Sequence, residues 1–322
     1  MMAEIFYWIL NMSIAGSLTG IIVMLLRKVE RLPHRYICVL WFLPFIRMAV
    51  PFGFPSKYSV LNLIAEFTTK SVPVESAPEY LPPLSYTNYI MAVNNYGESV
   101  SADSVLGNQT TFIFKSEWLE KIFFIGSIIW AIVLTAGLLT FAILYFITKS
   151  ELRTASCLHG NVYVSDKITS PALYGVMKPK IMVPNDFPKE LLPYVEEHEN
   201  AHRRRRDNLT RLAAITITCL HWFNPLAWMM LKMYLHDVEL ACDEAVLRKI
   251  GNENKKAYAS ALICCEESKL IFAPAFSASF GGAKIKVRIE NIISFRKLTI
   301  GSAVLFSILI AVLAVTLLTN AS

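Results

Sequence analysis

The chain has 322 residues, of which 54% are apolar and only 17% charged, with a mean hydropathy of +0.45. That balance excludes an ordinary soluble domain and is typical of a protein with several membrane spans. The net charge of +6 follows from basic residues flanking those spans, so direct nucleic-acid binding is not expected.

Four long apolar runs locate the spans. Ile5 to Leu26 carries no charged residue and is long enough to cross a hydrocarbon layer about 30 Å thick. It lacks the short apolar region and small-residue cleavage site of a signal peptide, so it reads as a retained span. Tyr36 to Phe54 contains Arg47, Pro44 and Pro51, which makes it the least regular of the four. Residues 122–147 form the third run, and Leu298 to Leu318 the fourth. Arg27, Lys28, Arg31 and Arg35 lie between the first two runs and place that loop in the cytoplasm. The segment 55–121 carries Glu66, Glu75, Glu79, Glu98, Asp103 and Glu117 against three lysines among residues 55–119, and belongs outside. Residues 148–297 then return to the cytoplasm, and 298–322 end outside. The six cysteines, Cys38, Cys157, Cys219, Cys242, Cys264 and Cys265, all avoid the external segment, where oxidation would pair them.

Within 148–297, Val162 to Ser165 and Lys180 to Pro184 are short β-prone runs expected to pair beside a helix. Asn185 and Asp186 followed by Pro188 predict a helix start. That helix carries His198-Glu199-Asn200-Ala201-His202. Two histidines one turn apart share a face and can hold a divalent zinc while Glu199 sits beside its water. A carboxylate in that place takes a proton as water attacks a peptide carbonyl, so the spacing points to a metallopeptidase. Glu196, Glu197 and Arg203 to Arg206 flank the motif, which places it in water and argues against an intramembrane site. The apolar stretch Leu209 to Met233 is broken at Asn224-Pro225, a cap followed by a first-turn proline. The helix beginning there should run to about Ile250 and end at Gly251. It brings Glu239 as the best third ligand and Asp243, one turn later, as an acceptor that orients a ligand histidine. Glu244 is a weaker alternative, since it points about 100° away from Asp243.

Several segments together resemble the BlaR/MecR-type family of bacterial membrane metallopeptidases, antirepressors that relay cell-envelope or β-lactam signals. They are Ser170-Pro-Ala-Leu-Tyr-Gly175, Lys178-Pro-Lys-Ile-Met-Val-Pro184, His198 to His202 with Arg-Arg-Asp-Asn at 205–208, His221-Trp-Phe-Asn-Pro-Leu-Ala-Trp228, and Glu239-Leu-Ala-Cys-Asp-Glu-Ala-Val-Leu247. The resemblance implies His198, His202 and Glu239 as ligands of one zinc ion, Glu199 as general base and later proton donor, and Asp243 behind the ligands. It also implies self-cleavage between the zinc domain and the last span, for which Ser279-Phe280 is the candidate site. The β-lactam sensors of this family continue into an external penicillin-binding domain. Here the sequence stops shortly after the fourth run, so the resemblance does not carry β-lactam sensing.

The expectation is therefore a mainly α membrane protein, with four transmembrane helices and a cytoplasmic gluzincin-like α+β zinc metallopeptidase domain. It would be a multi-pass protein of the bacterial cytoplasmic membrane, with its active site facing the cytoplasm. Its expected partners are membrane lipid, a cytoplasmic protein substrate such as a dimeric winged-helix repressor, and a second copy of the chain or a separate sensor protein. The rival readings are a quality-control or prenyl-type membrane protease, and a non-catalytic sensor or scaffold with a structural zinc.

Overall fold

In the computed structural model the described residues are 2–28, 32–50, 56–59, 92–93, 99–100, 117–271, 284–295 and 299–319. The expected external segment lies mostly outside them, apart from two short paired strands, β1 (Ala92–Val93) and β2 (Ser99–Val100). Ser279 and Phe280 lie outside them altogether.

Among the described residues three helices are long and apolar enough to cross a membrane, through Ile5–Leu26, Lys121–Thr148 and Ile300–Leu318. They belong to helices α1 (Met2–Leu26), α4 (Glu117–Glu151) and, near the end of the chain, α10 (Ile300–Leu318). Polar side chains inside α1 are satisfied within the helix: Ser17 Oγ donates to the Ser13 carbonyl at 2.7 Å and Thr19 Oγ1 to that of Ala15 at 3.0 Å, as an apolar surrounding requires. The second apolar run departs from expectation. It does not form one helix of spanning length but two short ones, α2 (His34–Leu40) and α3 (Phe42–Ala49), joined at Trp41. Pro44 has no N–H to offer the Leu40 carbonyl, so the ladder is interrupted there. Buried Arg47 on α3 donates to the Leu318 carbonyl at 3.0 Å, where a cation meets the negative end of α10.

A four-stranded sheet follows α4, in the order β3 (Ser156–His159), β4 (Val162–Ser165), β6 (Lys180–Pro184), β5 (Ala172–Tyr174). The two expected runs, β4 and β6, are parallel neighbours at its centre. Their buried residues Val162, Ile181 and Val183 form a small core of their own. Helices α5 (Leu192–Arg205), α6 (Asp207–Leu220), α7 (Pro225–Ile250), α8 (Lys255–Ile271) and α9 (Ile285–Ser294) complete the described architecture.

Helix α7 joins the apolar bundle to the sheet-bearing half. Its 26 residues span about 39 Å. The expected boundaries hold: Asn224 Oδ1 accepts the Leu226 N–H at 2.9 Å, and Gly251 leaves the helix at φ 79°. The first half, with Met230, Leu231, Tyr234, Leu235 and Val238, is buried among α1, α2, α3 and α10. Asn224 Nδ2 also donates to Ser13 Oγ and Ser17 Oγ, both at 2.7 Å, which ties the start of α7 to α1. Farther along, Asp237 is fully buried and accepts from Arg27 Nε at 2.8 Å and Trp41 Nε1 at 2.8 Å. Glu244, the weaker ligand candidate, instead accepts the His34 backbone N–H at 2.9 Å at the start of α2, where an anion is favoured.

Gly16 and Gly20 lie one turn apart on α1, and a Cβ at either would collide, with Met48 of α3 and with Met230 of α7 respectively. Small residues at this spacing let helices approach closely inside a membrane. Replacing either by valine should therefore cost about 1–3 kcal/mol through overpacking, measurable as a lower melting temperature in detergent. A Cβ at Gly137 on α4 would meet no atom within 4 Å, so Gly137→Ala should leave the melting temperature unchanged or raise it.

Candidate metal centre

The helix bearing the histidines starts later than the Asn185-Asp186 signal suggests. Pro184 and Pro188 instead close two turns, with Phe187 N–H bonded to the Pro184 carbonyl and Leu191 N–H to that of Pro188, and α5 begins at Leu192 with Pro193 in its first turn. Helix α5 ends at Arg206, which is left-handed at φ 57°. The chain reverses there and returns the first residue of α6, Asp207, to the motif it has just left.

His198, Glu199 and His202 are all buried. The two Nε2 atoms are 3.2 Å apart. From α7, Glu239 Oε2 lies 3.6 Å from His198 Nε2, and its Oε1 lies 3.6 Å from His202 Nε2. Ligands about 2.0–2.1 Å from a tetrahedral ion are separated by roughly 3.3 Å, so these three donors have the spacing of one face of such a site. The opposite ring nitrogens are committed elsewhere. His202 Nδ1 lies 2.7 Å from Asp207 Oδ2; a carboxylate only accepts, so this nitrogen carries the proton. His198 Nδ1 lies 2.8 Å from Tyr258 Oη, whose proton goes to Asp243 Oδ1 at 2.5 Å, so this nitrogen also donates. Both Nε2 lone pairs are thereby left for a metal.

The expected sequence residues thus converge, with one change of role. Asp243 lies 3.4 Å from His198 Nδ1, and the shorter contact runs through Tyr258. Tyr258, Asp207, Arg211 and Arg288 were not singled out as site residues from sequence. Asp207 stood in the Arg-Arg-Asp-Asn stretch, but its position depends on the left-handed turn at Arg206. Arg211 Nη2 donates to Glu239 Oε1 at 2.5 Å. Arg288, on α9, grips Asp243 with two hydrogen bonds, Nε to Oδ2 at 2.8 Å and Nη2 to Oδ1 at 2.7 Å. Its Nη2 also lies 3.3 Å from His198 Nε2, and its Nη1 3.5 Å from Glu239 Oε2. Burial pushes the Glu239 carboxyl up, but the neighbouring His202 and the Arg211 guanidinium outweigh it and hold the group well below the usual range. Asp243 is likewise brought down to about 2, because Arg288 overcomes the cost of burial.

A second triad competes for the ion, since ligand atoms of His198, His202 and Cys242 all lie within 4.8 Å of one another. Cys242, however, approaches His198 from its Nδ1 side, at 3.6 Å, and gives its thiol proton to the His198 carbonyl at 3.3 Å. A ligand at Nδ1 would face Tyr258 and Asp243, so the donor set that includes Glu239 fits a metal better. Glu199 lines a cavity of about 170 Å³ together with both histidines, Glu239 and Arg288. Among the described residues its carboxylate has no hydrogen-bond or ion-pair partner.

These contacts generate two expectations. Glu239→Ala should abolish tight metal binding and Asp207→Ala should weaken it about 10–100-fold, whereas Cys242→Ala should leave it nearly unchanged; calorimetric titration with metal separates the two triads. Asp243→Asn takes from buried Arg288 the carboxylate that holds it by two hydrogen bonds, a loss of about 3 kcal/mol at neutral pH. The stabilisation from a depressed carboxyl is complete above its unfolded value of ~3.9 and is lost as pH falls through about 2. The difference in melting temperature between wild type and Asp243→Asn should therefore narrow only below about pH 4.

The chain is 31% identical to the regulatory protein BlaR1 of Bacillus licheniformis over 163 residues, which cover 48% of this chain and 26% of that protein. To the BlaR1 of Staphylococcus aureus it is 29% identical over 139 residues, or 40% and 23% of the two chains. To the methicillin resistance mecR1 protein of Staphylococcus aureus it is 23% identical over 111 residues, or 33% and 19%. The chain spans about a quarter of the length of the relatives it matches. A family-wide match runs over residues 7–292, from the first apolar helix through the helices that carry the histidines and Glu239 to α9, and with it the chain belongs to the BlaR1 peptidase M56 family of metallopeptidases.

Proposed function

We propose that this chain is a multi-pass membrane zinc endopeptidase that acts in signal transduction by cleaving a cytoplasmic repressor, with a dimeric winged-helix protein as the substrate. The observation that carries this reading is the triangle of His198 Nε2, His202 Nε2 and the Glu239 carboxylate, with edges of 3.2, 3.6 and 3.6 Å. Two nitrogens and one carboxylate are a donor set that zinc accepts while keeping an open position. Zinc held there supplies a Lewis acid that polarises a peptide carbonyl and acidifies water. Glu199 faces the same cavity; its carboxylate takes the proton of the attacking water and returns it to the departing amide nitrogen. Asp207 and Tyr258 hold the imidazoles in the tautomer that presents Nε2. Arg211 and Arg288 keep Glu239 ionised as it binds.

The cytoplasmic orientation rests on Arg27, Lys28, Arg31 and Arg35 after the first span and on Arg203 to Arg206 beside the motif. A gluzincin-like arrangement is supported by the pairing of α5 with α7 beside a small sheet. Self-cleavage at Ser279-Phe280 would cut the chain between α8 and α9, and so between the histidines and the helix that carries Arg288.

Glu199→Gln should retain zinc stoichiometry, measured by elemental analysis, and lower cleavage of the repressor by about 10²–10⁴-fold. If cells carrying Glu199→Gln still mount the full transcriptional response, proteolysis is not the output and the protein acts as a sensor or scaffold.

A further inference from the structure

A second and larger cavity, of about 690 Å³, lies away from the metal centre, where α4 emerges from its apolar stretch. Its lining includes Tyr145 and Thr148 from the last turns of the spanning segment, Arg153 from the turn that follows, Tyr163 on β4, and Lys178 and Lys180. Arg153, Lys178 and Lys180 are all exposed. Among the described residues no carboxylate lies within ion-pair distance of any of the three. Lys180 Nζ instead sits 4.0 Å above the Tyr163 ring. The loop that carries Lys178 turns at Gly175, where φ is +98°, and presents Met177 with 87% of its surface exposed.

On the α4 side, where Tyr145 and Thr148 line the cavity, it adjoins surface of another kind. Leu144, Tyr145, Phe146 and Ile147 are exposed on the helix, and its span is only 17% buried by the rest of the protein. The cavity therefore has an apolar wall that adjoins the exposed apolar surface of α4, and a wall of three cations, none within ion-pair distance of a carboxylate among the described residues, just beyond the end of that span. Tyrosines lie between the two, at the depth where amphipathic rings favour the membrane interface. Basic pockets at this level hold anionic head groups, and the volume falls in the range of small-molecule sites. A soluble phosphate would use the cations and leave the apolar wall wet; a phospholipid uses both.

We propose that the cavity between α4, Arg153 and the Gly175–Lys180 loop binds an anionic phospholipid, its phosphate held by Arg153, Lys178 and Lys180 and its acyl chains lying along α4. The site gives a role to the Lys178-Pro-Lys180 segment, which the metal centre does not use, and it does not depend on the proposed peptidase activity. Bound lipid would fix the height of the sheet, and of helix α5 that follows it, relative to the bilayer.

The test is native mass spectrometry of the purified full chain offered equal amounts of phosphatidylglycerol and phosphatidylcholine. Wild type should retain phosphatidylglycerol with about tenfold preference or more, since each cation near an anionic head group is worth roughly a factor of five. The combined Arg153→Gln, Lys178→Gln, Lys180→Gln variant should lose the preference. A variant with the same charge change elsewhere, Lys189→Gln, Lys256→Gln, Lys286→Gln, should keep it. Millimolar glycerol phosphate should not displace the lipid. Lys178→Gln alone, on an exposed side chain, should lower the preference a few-fold without altering the melting temperature in phosphatidylcholine, so the proposal stays testable if the triple variant folds poorly. An undiminished preference in either cavity variant overturns the site. So does an equal loss in the remote variant, and displacement by glycerol phosphate overturns the lipid as its occupant.

Discussion

The arrangement depends on one continuous helix that is held at two depths. Near its start, α7 is anchored to the first span by Asn224, which caps the helix with its oxygen and binds Ser13 and Ser17 with its nitrogen. Midway, Asp237 is clamped by Arg27 and Trp41. Only two residues beyond that clamp, Glu239 faces the histidines. A helix cannot slide one end without the other, so the position of the carboxylate between two imidazoles is set by packing inside the apolar bundle. Gly16 and Gly20 belong to the same constraint, because they set how closely α3 and α7 approach α1.

Around the donors two carboxylate–guanidinium pairs are withdrawn from water, Asp243 with Arg288 buried and Glu239 with Arg211 half-buried. Such burial is costly unless each charge is paired and hydrogen-bonded. Here the pairing is reciprocal: Arg211 serves Glu239, and Arg288 serves Asp243 with two hydrogen bonds. Asp243 in turn accepts the proton of Tyr258, which orients His198. An apolar cluster of Ala201, Cys242, Val246, Leu247, Tyr258, Leu262 and Ile292 backs these contacts. It joins α5, α7, α8 and α9 and excludes the water that would screen the charges. This explains why Cys242 is packed behind His198, although its sulfur falls within reach of both imidazoles.

Features that depend on a short stretch of chain were legible in the sequence. The length and polarity of α1, α4 and α10, the cap at Asn224, the stop at Gly251, the β-prone runs at 162–165 and 180–184, and the shared face of His198 and His202 follow from periodicity and local backbone chemistry. The placement of Glu239 and Asp243 one turn apart on α7 was legible too, because an i, i+4 pair on one helix is a statement about a single element. The helix start near Pro188 was misplaced because proline serves turns as readily as first helical turns. The second apolar run was read as a span from its hydropathy, yet Pro44 divides it and buried Arg47 finds a carbonyl at the end of α10.

The sequence by itself determined the long apolar helices and the helix pair that carries His198, His202 and Glu239, because apolar run length and the spacing of side chains along a helix are properties of contiguous residues. Tertiary structure alone decided which groups surround the ligands. Asp207 reaches His202 only because Arg206 adopts a left-handed turn, and Tyr258 and Arg288 come from helices 60 and 90 residues beyond His198. Glu244 turns from the histidines to α2 for the same reason. A side chain's partner across such distances is chosen by how helices pack, and no local pattern encodes that.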